Sequence, residues 1–231
     1  MKKILILGII ILSIFLIYLT TIDKKVYYVS LGDEISLGMT KDGYYEKSYP
    51  LYIKEYLEKN NKLETFIDDY SKQGYRITDL INDINNNKEI EETNKTIKNV
   101  LIKADLVTLS IGTNDILSKI SNEENLTKID YKRLYKNIEE IVNDLDKLLK
   151  IIREYCKEDI ILIGTNIKTE NENLREIINY ANEKFDEVSK KYDIEYIKTD
   201  EIIKEKIYPT IEEYKRLSEQ IIDSINNNLL K

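Results

Sequence analysis

No histidine occurs among the 231 residues. Imidazole is the usual proton relay at neutral pH, so chemistry that needs a histidine base is excluded. The one cysteine, Cys156, rules out an internal disulfide. One Cys and no His also exclude a tetrahedral zinc cage. Cation binding through Asp or Glu oxygens stays open, but no EF-hand loop is present. No cofactor or metal is therefore expected. Tryptophan is absent, and only two prolines and seven glycines punctuate the chain. Nor is there a basic stripe. The 35 Lys and Arg are scattered among 42 Asp and Glu, for a net charge of −7, so nucleic acid is not an expected partner. Tyrosine is abundant beside Ile, Lys and Asn, a bias of composition that carries little functional weight.

What is present begins with a long apolar run. Lys2-Lys3 precede Ile4 to Leu19, interrupted only by Gly8 and Ser13. With Thr20, Thr21 and Ile22 the run is close to the ~20 residues that cross a bilayer as a helix. It is apolar all round, unlike a buried amphipathic helix. A cleaved signal peptide is the competing reading. No Ala-x-Ala follows, however, and the length favours an uncleaved anchor over residues 1–22. Lys2, Lys3 and the amino group outweigh Lys24 and Lys25, which Asp23 offsets. The positive-inside rule then puts the N-terminus in the cytoplasm. Residues 23–231 would form a single extracytoplasmic domain on a single-pass membrane protein.

Beyond Asp23, strand and helix patterns alternate. Val26 to Leu31 is continuously apolar, as a buried parallel strand is. Tyr45 to Lys59 repeats apolar residues at helical spacing, with Pro50 tolerated in its first turn. Leu63 to Tyr70 is a second strand, Ile77 to Ile84 a short helix, and Asp105 to Ile111 a third strand. Tyr131 to Tyr155 is a long helix with Leu134, Ile138, Ile141, Val142, Leu145, Leu148, Leu149 and Ile152 on one face. Asp159 to Thr165, Asn173 to Tyr192, Ile194 to Ile197 and Ile211 to Ile225 continue as strand, helix, strand, helix. The polar stretch Asn85 to Lys98 reads as a solvated excursion with a short helix. This order predicts an α/β fold: a five-stranded parallel sheet with helices on both faces. Cys156 falls at the sheet end away from any ligand site and reads as a packing residue.

Three motif blocks sit at strand ends. Gly32-Asp33-Glu34 follows the first strand, Gly112-Thr113-Asn114-Asp115 the third, and Glu205-Lys206-Ile207-Tyr208-Pro209 lies near the end. Gly74, in Gly74-Tyr75-Arg76-Ile77-Thr78-Asp79-Leu80, supplies a fourth landmark. Together they resemble the SGNH (GDSL-type) hydrolases over residues 26 to about 225. The resemblance implies a three-layer α/β/α, flavodoxin-like topology with strand order 2-1-3-4-5. It implies further that ligands meet the carboxyl ends of the strands. In that family Gly-Asp-Ser carries the nucleophile, a second-block glycine and the Asn of Gly-x-Asn-Asp complete an oxyanion hole, and Asp-x-x-His carries the base and its orienter.

The framework matches at Gly32, Asp33, Gly74, Gly112, Asn114 and Asp115. The triad does not: Glu34 stands at the serine position, Glu205 at the aspartate and Tyr208 at the histidine. Serine-type acyl transfer needs a hydroxyl and a base, and both are missing. Ser36, two residues on, has no apparent base. Glu34 at a helix N-terminus is favoured by backbone N–H groups. There it would fill the oxyanion hole from within, accepting from Gly74 N–H and the Asn114 amide. Asn114 and Asp115 also suit an Asx-type turn. The expected function is that of a membrane-anchored, catalytically degenerate member, binding an acylated glycan or another cell-envelope ligand, or acting as a scaffold. The alternative is an ester or glycoside hydrolase in which Glu34 and Glu205 act as paired carboxylates.

Overall fold

The computed structural model describes residues 25–90, 93–121 and 130–228. The apolar run 1–22 lies outside them. Among the described residues, no helix is long and apolar enough to cross a membrane.

The chain begins with β1 (Val26–Gly32), the short helix α1 (Glu34–Leu37), α2 (Tyr49–Lys59), β2 (Leu63–Ser71) and α3 (Ile77–Asn85). The hairpin strands β3 (Glu89–Ile90) and β4 (Lys95–Thr96) lead into α4 (Ile97–Lys103) and β5 (Leu106–Ser110). Next come α5 (Thr113–Ser121), α6 (Tyr131–Tyr155), β6 (Asp159–Ile163), α7 (Glu172–Lys191), β7 (Glu195–Ile197) and α8 (Ile211–Asn228). Five strands pair in the order β2-β1-β5-β6-β7, all parallel, which is the expected 2-1-3-4-5.

Side-chain alternation along β1 sets the layers. Val26 and Tyr28 point to a core shared with Tyr49, Ile53 and Leu57 of α2 and with Tyr214, Leu217 and Ile221 of α8. Tyr27, Val29 and Leu31 point the other way, to α3, α4, α6 and α7. Every position of β1 is buried, as a strand covered on both faces requires. On α6 the eight buried apolar residues are the eight of the sequence pattern. Each buried aliphatic side chain contributes about 1.5–3 kcal/mol.

Three local expectations are corrected. Helix α2 starts at Tyr49 and not at Tyr45; Ser48 is its N-cap and Pro50 lies in its first turn. Tyr45 instead bridges Met39, closing a turn in which Gly43 N donates to Thr40 O at 2.9 Å. The excursion from Asn85 is more ordered than expected. Its hairpin is held by the Tyr70 hydroxyl, 2.9 Å from Lys95 O, and Ile97, Val100 and Leu101 of α4 enter the core. Finally, Asn114 and Asp115 lie in the first turn of α5 rather than in an Asx turn.

Gly32 shows why the first block needs glycine. Its φ is +148°, and a Cβ there would sit 2.2 Å from Ser110 O and 2.6 Å from Ser36 Oγ. Gly74 also has positive φ, +71°, but its Cβ position is open. Gly32→Ala should therefore cost about 3 kcal/mol of unfolding free energy. Gly74→Ala should cost only about 1–2 kcal/mol. Denaturant titration of both variants checks the ranking.

Candidate functional site

The loops that leave β1, β2 and β5 meet at the carboxyl edge of the sheet, and each delivers one part of the site. Asp33 caps α1. Its N–H donates to Ser110 O at 3.0 Å, and its Oδ1 accepts from Ile35 N and from Ser110 Oγ, both at 3.1 Å. These bonds tie the start of α1 to the end of β5 and fix where the next side chain points.

That side chain is Glu34, buried to 6% exposure. Gly74 N–H donates to its Oε1 at 2.8 Å, and Asn114 Nδ2 donates to its Oε2 at 2.8 Å. Asn114 spends its second amide hydrogen on Tyr75 O at 3.1 Å, so the loop carrying Gly74 is fixed to α5 as well. Asp115 adds a further brace, its Oδ2 accepting from Ile77 N at 3.2 Å at the start of α3. Gly112 opens the turn into α5, its carbonyl accepting from Ile116 N at 3.0 Å. Hydrogen bonds to a charged partner contribute about 1.5–3 kcal/mol each. Two of them on one carboxylate make a firm contact between three loops.

The remaining triad-position residues do not form a relay. Tyr208 is half-buried, and its phenol is pushed up to about 12 by burial, then by the negative charges of Glu34 and Asp33. It holds its proton at neutral pH and cannot serve as a base there. Glu205 forms an ion pair with Lys41 Nζ at 3.0 Å, on the partly exposed rim. Its backbone carbonyl accepts from Asn166 Nδ2 at 2.8 Å. Thus Glu34, Gly74 and Asn114 are joined directly, Asp33 and Asp115 brace them, and Glu205 turns outward.

Ser36 is buried, its hydroxyl donating to Leu31 O at 3.1 Å beside Tyr49 Oη at 3.2 Å. Cys156 is fully buried, with Sγ 3.7 Å from Ala104 O. Residues not singled out from the sequence also matter. Ser110 anchors Asp33, Lys41 holds Glu205, and the phenol of Tyr45 is raised by burial and by Glu34 nearby. Ser110 was legible as the last residue of β5, two positions before Gly112. Tyr45 was hidden by its assignment to a helix. A groove of about 700 Å³ borders Gly74 and Asn114, lined also by Arg76, Asp115, Leu117 and Glu140. Among the described residues, no cluster of three or more His, Cys, Asp or Glu is placed to hold a metal ion.

The profile of the GDSL-like lipase/acylhydrolase family matches residues 30–216. The chain belongs to this family. Its fold is similar to that of a lipase from a goat rumen metagenome, with TM-score 0.71 at 18% identity, covering 88% of this chain and 99% of that one. It is also similar to an α/β hydrolase from the metagenome of Lake Arreo, Spain (TM-score 0.63, 13% identity, 88% and 96% covered). An acetylxylan esterase from Geobacillus stearothermophilus aligns with TM-score 0.61 at 16% identity, covering 88% and 95%. Catalytic mutants of that esterase replace a serine, an aspartate and a histidine by alanine. Sequence comparison with curated proteins gives no match. Glu34, at the position where the sequence resemblance expects a serine, is a carboxylate bound by Gly74 and Asn114.

The buried acids give the fold a pH dependence. Burial raises the Asp33 carboxyl to about 7, with Glu34 and Asp115 adding to the shift, and Asp115 itself to about 6. A carboxyl raised on folding stabilises the fold fully below its unfolded value of about 3.9, and that stability is lost as pH rises through the folded value. For Asp33 the shift is about 3 units, on the order of 4 kcal/mol between about pH 4 and 7. Melting temperature should fall from pH 5 to pH 8. Asp33→Asn, which keeps an acceptor for Ile35 and Ser110, should flatten that fall in a pH series of thermal scans. An unchanged slope would show that Asp33 does not carry it.

Proposed function

We propose that the protein is a membrane-tethered GDSL-like domain that is silent as a serine esterase and works by binding, with Glu34 filling the oxyanion hole. The observation that carries this reading is the pair of 2.8 Å hydrogen bonds from Gly74 and Asn114 to Glu34. Those donors would otherwise meet the developing oxyanion of an acyl substrate. Losing nucleophile or base costs about 10⁶ in kcat where this has been measured in a serine protease. Here both positions lack the needed group, and the remaining donors face an internal carboxylate.

The ligand is proposed to be an acylated glycan or another cell-envelope component, by analogy with the acetylxylan esterase that shares the fold. The tether is the apolar run of residues 1–22, which would place the domain outside the cell. A paired-carboxylate mechanism gains no support from the geometry, because Glu205 is engaged by Lys41 at the rim.

The full chain in detergent should not hydrolyse p-nitrophenyl acetate above the buffer rate. The double variant Glu34→Ser with Tyr208→His should gain measurable turnover, since it empties the hole and restores a hydroxyl and an imidazole. Wild-type turnover that disappears in Glu34→Gln would contradict the reading and establish carboxylate chemistry.

A further inference from the structure

The polarity of the sheet separates the proposed tether from the site. Exposed Lys25 directly precedes Val26, which opens β1, and Gly32 closes the strand before Asp33 and Glu34. Seven residues of strand place about 20 Å between the two ends. Because all five strands are parallel, Leu63, Leu106, Asp159 and Glu195 start at the same amino edge as Val26. Helices α2, α4, α6 and α7 run back to that edge and end there, with Lys59, Lys103, Arg153 and Lys190 in their last turns.

The apolar run ends at Ile22, leaving Asp23, Lys24 and Lys25 before β1. Three residues span at most about 11 Å when fully extended. That is about half the length of β1, too short to let the domain turn its carboxyl edge onto the bilayer. We infer that the amino edge of the sheet faces the membrane and the Glu34 site faces away from it, so that the ligand arrives from the aqueous side and is not a lipid of the anchoring bilayer. This rests on the tethered reading above and adds its direction.

Tether length, not charge, sets the polarity. The basic last turns suit the helix C-termini by themselves, and Glu158 and Asp193 share the edge with them. Ile102, 59% exposed beside Lys103 in α4, gives this edge an apolar contact as well. On the opposite side the turn at Asp42 and Tyr44 stands over the site, tied to the last motif block by Lys41 N–H donating to Pro209 O at 3.3 Å.

The single native cysteine is fully buried, so thiol labels can be placed elsewhere under native conditions. The full chain carrying Lys59→Cys, Lys103→Cys, Asp42→Cys or Tyr44→Cys would be labelled with a fluorophore. Each would be reconstituted into phosphatidylcholine–phosphatidylglycerol vesicles containing a nitroxide-headgroup lipid. All four should co-float with the vesicles, with strong quenching at positions 59 and 103 and little at 42 and 44. Co-flotation with quenching at 42 and 44, or with no difference between the pairs, overturns this inference alone. Protein that fails to co-float overturns the tethered reading and this inference with it.

Discussion

A carboxylate held between two N–H donors fixes where three loops of this protein meet. Glu34 comes from the loop after β1, Gly74 from the loop after β2 and Asn114 from the start of α5 after β5. In an acyl hydrolase such donors wait for an oxygen that becomes charged in the transition state. Here they meet a charge that is built into the chain. The same geometry that would favour a developing oxyanion favours a resident carboxylate, so glutamate fits this framework without asking it to move. The bracing around it remains: Asp33 to Ser110, Asn114 to Tyr75, Asp115 to Ile77.

This arrangement concentrates acids. Asp33, Glu34 and Asp115 lie close enough for Glu34 and Asp115 to help raise Asp33, and the phenol of Tyr208 is raised by both Asp33 and Glu34. An imidazole at position 208 would be drawn toward its protonated form by such neighbours. Tyrosine avoids that charge, stays neutral, and packs its ring against the second core layer. Glu34 and Tyr208 are thus mutually consistent: one fills the donor pair, and the other stands near that carboxylate and keeps its proton.

Much of this was readable from the chain. The continuous apolar β1 and the face of α6 carried enough periodicity to give the layers, and glycines at strand ends marked the site loops. The direct meeting of Glu34 with Gly74 and Asn114 followed from the family framework once the three blocks were recognised. Other features were not legible. Tyr45 looks apolar enough to begin a helix, yet it is exposed and pairs with Met39 to close a turn. Helix α4 was obscured because its polar approach masks Ile97, Val100 and Leu101. The outward turn of Glu205 depends on Lys41, 164 positions away, and no local pattern announces such a pairing.

In solution the Glu34 carboxylate should occupy the Gly74–Asn114 donor pair. Amide hydrogen exchange at Gly74, followed by NMR in the wild type and in Glu34→Ala, tests it most directly. The Gly74 amide should exchange slowly in the wild type and at least tenfold faster in the variant, while amides in the middle of β1 keep their protection. A Gly74 amide that exchanges at the same rate in both proteins would contradict it.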